Sequence, residues 1–164
     1  MHLRIKDINK LRLYELMNKK HLLIFSTAII AAFLDQLTKF LIRANFQLNE
    51  SLPIINNIFH LTYITNTGSA FGLFKSLNWF FMLFSIAVIV TIYYYLRNNI
   101  KENEKLIQFA VGLLLGGTIG NLADRLFYSA VTDFLDFRIW PVFNIADSAI
   151  TISVVLLIIL LWKK

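Results

Sequence analysis

Four long apolar stretches, parted by polar connections, set the pattern of this chain. They run from Leu22 to Ile42, from Leu77 to Leu96, from Leu106 to about Leu122, and from Asn144 to Trp162. Each has roughly the ~20 residues an α-helix needs to cross a bilayer. The pattern predicts one membrane-embedded four-span domain over residues 21–164, without internal repeats or low-complexity segments.

The connections carry their own signals. Residues 1–20 hold Arg4, Lys6, Lys10, Arg12, Lys19 and Lys20, with Ile5, Ile8, Leu11, Leu13, Leu16 and Met17 loosely at helical spacing. This reads either as a short basic amphipathic helix on an anionic membrane face or as a basic tail that only fixes orientation. No small-residue cleavage site follows the first apolar run, so that run is expected to be retained as a helix. In the long polar connection 43–77, Phe59–Thr65 is rich in β-branched and aromatic residues, and Phe59, Leu61 and Tyr63 share a face at period two. A short strand is predicted there. Asn66–Gly72 then reads as a turn-rich loop. Trp79 and the cluster Tyr93, Tyr94 and Tyr95 sit at opposite ends of the second span, as interfacial aromatics do. Gly112, Gly116 and Gly120 recur at four-residue spacing and predict a smooth stripe for close helix packing.

Composition sharpens this picture. The chain is 57% hydrophobic and 16% charged, whereas soluble domains carry ~25% charged residues. It has no cysteine, which removes thiol catalysis, disulfides and cysteine–metal sites. The net charge of +6 raises nucleic acid as a partner, but the placement of the charge favours membrane topology instead. Eleven Lys and Arg lie in the N-terminal segment, the 97–105 loop and the C-terminus. Five lie in 39–77 and 124–143. The positive-inside rule then puts both termini in the cytoplasm and the two longer connections at the outer face.

Four of the ten acidic residues fall between Gly116 and Ser148: Asp124, Asp133, Asp136 and Asp147. Acids at the edges of lipid-crossing helices are costly and mark function. Asp133 sits in a β-like stretch, and Asp147 in the first turn of the fourth helix, three residues after a capping Asn144. Two carboxylates meeting in a poorly hydrated cleft cannot both ionise easily, so one keeps a proton while the other acts as base toward a water. The alternative is that each acid caps a helix or pairs with Arg125 or Arg138. Asp35 and Lys39, one turn apart, read first as a structural ion pair. Asn66 reads as a turn former, or as a donor to a substrate carbonyl. His60 reads as structural, because no metal-ligand spacing accompanies it.

Several blocks together resemble the lipoprotein signal peptidases, the bacterial signal peptidase II family. They are Asp35-Gln36-x-Thr38-Lys39, Asn66-x-Gly68-x-Ala70-Phe71, Gly120-Asn121-Leu122-x-Asp124-Arg125, Val131-x-Asp133-Phe134 and Phe143-Asn144-x-Ala146-Asp147. The resemblance covers roughly residues 22–162. It implies an all-α membrane protein with four transmembrane helices and a small extracytoplasmic β-platform, drawing on strand signals around 59–65 and 134–140. It implies a membrane aspartic endopeptidase of the bacterial cytoplasmic membrane that cuts prolipoproteins just before a diacylglyceryl-modified cysteine. The catalytic pair carries over onto Asp133 and Asp147. Asn66, Asn121, Arg125 and Asn144 match positions that line the cleft. Asp124 matches a supporting position, and Asp35 and Lys39 match motif positions. The resemblance implies no cofactor and no metal, membrane lipids as surroundings, no nucleic acid, and globomycin-type cyclic peptides as inhibitors. A single four-helix unit would suffice as a monomer. A small transporter would place its acids near mid-span, and a phospholipid-modifying transferase would cluster metal-binding aspartates on one helix. Neither mark is present.

Overall fold

The computed structural model describes the backbone of residues 5–68, 78–98, 101 and 103–162, and within these the side chains other than those of 5–21 and 96–98. Among the described residues, four helices and three strands follow in the order α1 (Ile5–Asn45), β1 (Ser51–Ile55), β2 (Phe59–Asn66), α2 (Asn78–Asn98), α3 (Lys105–Tyr128), β3 (Val131–Asp136) and α4 (Ile145–Trp162). All four helices contain a stretch long and apolar enough to cross a membrane: Leu22–Asn45, Asn78–Tyr95, Lys105–Tyr128 and Ile145–Trp162. The backbone before Leu22 is helical and continuous with the first of these. The apolar and basic faces expected there, and the loop residues 69–77, lie outside the described residues.

Helix α3 is the centre of the bundle. Its span is 61% buried, against 28% or less for the others, and it packs on α1, α2 and α4. Its glycines make this possible. A Cβ on Gly116 would stand 2.5 Å from the Ala28 carbonyl oxygen and 2.8 Å from the Ala31 Cβ. Gly112 meets Ile24 and Thr27 of α1 in the same way, and Gly117 meets Ala146 and Ile150 of α4. Small residues thus bring the backbones together where lipid supplies no hydrophobic drive. The core between α1, α2 and α3 is Ile24, Ala28, Ile92, Ile107, Val111 and Leu115. Outward-facing residues such as Ile29 and Phe33 are exposed, as lipid-facing positions are.

The three strands form one antiparallel sheet in the order β1-β2-β3. Several boundaries differ from the sequence reading. α1 runs to Asn45 rather than ending at Ile42, so Arg43 belongs to the helix and not to the connection 43–77. β1 lies inside the connection read as polar; all five of its residues are exposed, so no alternation marked it. β3 runs over Val131–Asp136; it takes in the β-like stretch read around Asp133 and stops short of the 134–140 signal, because Arg138 has a positive φ of 66° that ends extended backbone. α3 continues six residues past Leu122 and ends at Tyr128, with Ser129 in the left-handed conformation. Asp124 and Arg125 therefore belong to the helix and not to the connection. The helix passes through Asp124 because that acid is fully paired within the fold.

Candidate functional site

The site is built on a buried ionic layer where α1 meets α3. Lys39 and Asp35 lie one helical turn apart, both 0% exposed, with Lys39 Nζ 2.8 Å from Asp35 Oδ2. Lys39 Nζ also donates to Asn121 Oδ1 at 2.9 Å and lies 3.4 Å from Asp124 Oδ2. The three donors of the ammonium thus face three acceptors, the condition under which a charge tolerates burial. Asp35 Oδ1 accepts the Ala146 N–H in the first turn of α4 at 2.9 Å, which ties α1 to the helix that carries Asp147. Asp124 Oδ2 accepts the Thr132 N–H at 2.9 Å, which ties α3 to the strand that carries Asp133. Gly120 leaves room for Asp35, since a Cβ there would lie 2.5 Å from Asp35 Oδ2.

Two asparagines carry this order to the next layer. The Asn121 oxygen accepts from Lys39 and from Asn144 Nδ2 at 3.2 Å. Its amide nitrogen therefore faces Asp147, donating to Oδ1 at 2.8 Å. Asn144 caps α4. Its Oδ1 accepts the Asp147 N–H at 2.9 Å, while Asp147 Oδ2 accepts the Asn144 N–H at 3.3 Å. This reciprocal pair is a capping box with aspartate in the returning position. The Asn144 amide also donates to Asp133 Oδ1 at 2.7 Å. One fully buried residue thus holds both carboxylates, Asp133 by its side-chain amide and Asp147 by its backbone N–H.

Asp133 itself is 2% exposed. Its second oxygen accepts from Asn66 Nδ2 at 3.1 Å. Asn66 does so because its own oxygen is held by the Gly68 N–H at 3.0 Å, a local turn bond that aims the amide nitrogen outward. Burial, then the negative charge of Asp147, push the Asp133 carboxyl up to about 7, against the pull of Asn66, Asn144 and Lys39. A carboxyl so placed retains its proton near neutrality.

Asp133 and Asp147 line one cavity of about 240 Å³ with Asn66, Asn121 and Arg125. Arg125 lies over the Phe81 ring, 5.3 Å from its centre, and donates to the Asn121 carbonyl at 3.4 Å. Among the described residues its buried Nε–H has no hydrogen-bond partner. A second cavity of about 690 Å³, walled by Phe137, Ile139, Trp140 and Phe143, reaches the same Asp147. Asp147 thus stands between a small polar space, which it shares with Asp133, and a larger apolar one.

The family follows from comparison. The model of the family described as Signal peptidase (SPase) II matches residues 27–163. The chain belongs to the signal peptidase II family. It is 47% identical over 130 residues to the lipoprotein signal peptidase of Moorella thermoacetica, covering 79% of this chain and 86% of that protein. It is 42% identical over 142 residues to the lipoprotein signal peptidase of Bacillus subtilis, covering 84% and 92%. Two solved bacterial membrane enzyme structures share the fold. One has a TM-score of 0.80 at 33% identity over 85% of this chain and 87% of that one. The other has a TM-score of 0.78 at 32% identity over 86% and 93%. The chain is therefore a multi-pass bacterial membrane protein of a peptidase family.

Within this signal peptidase II fold, the structure brings eight of the nine singled-out side chains into one connected set. They are Asp35, Lys39, Asn66, Asn121, Asp124, Asp133, Asn144 and Asp147. The ninth, Arg125, lines the cavity. Asp136 stands apart, bound to Thr62 and Arg138. His60 lies on the sheet, where Nδ1 meets Ser51 Oγ at 3.2 Å. Three residues of the network were given no role in the sequence reading, although Gln36 stood in one of its blocks. Arg43 donates to Thr132 Oγ1 at 3.0 Å and lies 3.4 Å from Asp124 Oδ1, with Tyr128 under its guanidinium. Gln36 donates to the Gly120 carbonyl and to Asp124 Oδ1, both at 3.0 Å. Thr132 is the third. The signal for Arg43 was its spacing, one further helical turn beyond Lys39 on the face that begins at Asp35.

Proposed function

We propose that this chain removes the signal peptide from diacylglyceryl-modified prolipoproteins, cutting just before the lipidated cysteine, and that Asp133 and Asp147 are its catalytic pair. The observation that carries this reading is that the two carboxylates line one cavity and both accept from Asn144, Asp133 from its side-chain amide and Asp147 from its backbone N–H. Their environments differ, and burial keeps the Asp133 proton in place up to about pH 7. Two acids with divided protonation are the arrangement an aspartic peptidase needs.

The chemistry follows. A water between the acids gives a proton to Asp147 while its oxygen bonds to the scissile carbonyl carbon. Asp133 donates its proton toward the carbonyl oxygen as negative charge develops there. The tetrahedral species then collapses: the C–N bond breaks, the proton held by Asp147 passes to the leaving nitrogen, and a hydroxyl of that species returns its proton to Asp133 as the new carboxyl group forms. Asn121 and Asn144 keep both carboxylates aimed through these steps, so little reorganisation accompanies the reaction. Arg125 lines the same space, where its guanidinium suits a peptide carbonyl. The distribution of Lys and Arg supports cytoplasmic termini and an outer-face site. Apolar walls next to Asp147 suit a lipidated substrate that never leaves the bilayer, and globomycin-type cyclic peptides would compete for the same cleft.

The test is cleavage by the purified chain in detergent micelles, with a prolipoprotein carrying or lacking the diacylglyceryl group. Mass spectrometry should find one cut, immediately before the modified cysteine, and little turnover of the unmodified form. Equal cleavage of both forms, or a cut elsewhere, contradicts the proposal.

A further inference from the structure

Residues 137–142 form the loop between the strand that carries Asp133 and the helix that carries Asp147. At its base, Phe143 N–H donates to the Leu135 carbonyl at 3.1 Å, and Leu135 N–H donates to the Phe143 carbonyl at 2.8 Å. Its first turn is strained. Arg138 has φ of 66°, and Ile139 N–H donates to the Phe137 carbonyl at 2.8 Å across it. A three-residue turn with a positive φ at its centre is the rare, strained γ-turn, and arginine has no preference for that region.

Asp136 supplies the compensation. Its Oδ1 accepts the Arg138 N–H at 2.8 Å, and its Oδ2 accepts from Arg138 Nη1 at 3.0 Å and from the Thr62 hydroxyl at 2.8 Å. The acid is buried, yet it touches neither Asp133 nor Asp147. Burial raises its carboxyl, but the bonds from Thr62 and Arg138 outweigh this and hold it below its ordinary value. Beyond the turn lies what it places. The Phe137 ring stacks on Phe143 at 5.9 Å and leans on Phe59 at 4.9 Å. Ile139 is 93% exposed and has little packing of its own. Both side chains line the apolar cavity that reaches Asp147.

We infer that Asp136 is a positioning residue: by pinning Arg138 in the left-handed conformation it fixes the Phe137–Ile139 wall of the cavity that receives the lipidated substrate. Strain held by surrounding bonds gathers at ligand clamps, and here one carboxylate holds it. The inference rests on the peptidase reading above. It separates Asp136 from the chemistry: the residue governs how well substrate is held, not how fast the bond breaks.

The test uses purified variants and the diacylglyceryl-modified prolipoprotein. Asp136→Ala should raise KM about tenfold, the factor equal to about 1.4 kcal/mol, with kcat nearly unchanged. Asp136→Asn keeps the acceptor for the Arg138 N–H and should restore KM. Arg138→Gly placed in the Asp136→Ala background should also restore it, because glycine takes a positive φ without help. Should Asp136→Ala not fold, Arg138→Gly against Arg138→Val decides: the glycine variant should keep the KM of the starting protein and the valine variant should raise it. An unchanged KM in Asp136→Ala, a fall in kcat alone, or no rescue by glycine overturns the inference. Failure of the unsubstituted protein to cut this substrate would overturn the peptidase reading itself, so the two failures are told apart.

Discussion

Replacing Asp133 by asparagine should stabilise the fold at alkaline pH relative to acid pH. The ordinary carboxyl value for this residue is 3.8, and the folded protein raises it to about 7. Between those values the folded chain keeps a proton that the unfolded chain has released. Stability therefore falls as pH rises from about 4 to about 7, and the full cost is present above 7. At about 1.36 kcal/mol per pH unit the cost is about 4 kcal/mol. Asparagine cannot ionise, so the cost disappears in the variant. A second effect opposes it at every pH. Both Asp133 oxygens accept from amide donors, Asn66 and Asn144, and an asparagine must turn its own NH₂ toward one of them. The mismatched donor costs about 1–3 kcal/mol. The variant should thus be the less stable protein at pH 4 and the equal or more stable one at pH 8. The assay is unfolding in detergent micelles by near-ultraviolet circular dichroism, for both proteins across this range. A stability difference that stays constant from pH 4 to pH 8 would refute the reasoning, for it would show Asp133 to titrate like an exposed carboxylate.

Other outcomes follow from the same geometry. If Asp133 works as the protonated acid, kcat/KM should decline above about pH 7. Asn66→Ala removes a bond that favours its ionised form, so that decline should move to higher pH; a shift to lower pH would contradict the assigned role. Lys39→Met leaves Asp35 and Asp124 without their buried cation and should destabilise the fold by about 3–5 kcal/mol. An unchanged unfolding midpoint would contradict this. Gly116→Val drives a side chain into the Ala28 backbone and should cost at least the ~1–3 kcal/mol of ordinary overpacking, again read as a lowered midpoint.

The four spans were legible because length and apolarity alone mark them, and the glycine stripe announced the α1–α3 contact. The asparagine cap and Asp147 were legible because a capping box is local, spanning four residues. What stayed hidden was set by distant partners. Asp124 looked like the end of a helix, since nothing near it in sequence shows that Lys39, Gln36 and Thr132 will satisfy it. Strand β1 carries Pro53 and faces solvent throughout, so no alternation betrayed it. The β-like stretch around Asp133 was legible, but the strand signal toward residue 140 ran too far, because the positive φ at Arg138 depends on hydrogen bonds that Asp136 makes. Of the two readings of Asn66, the turn former is what its oxygen does, while its nitrogen donates to Asp133, a partner neither reading named.

The central claim is that Asp133 and Asp147 act together on one water. Single-turnover cleavage of a diacylglyceryl-modified prolipoprotein by Asp133→Asn, by Asp147→Asn and by the double variant tests it most directly, with circular dichroism confirming that each is folded. The account predicts loss of cleavage in either single variant, with the double variant no worse than the singles. Substantial turnover in a folded single variant, or losses that multiply in the double, would contradict it.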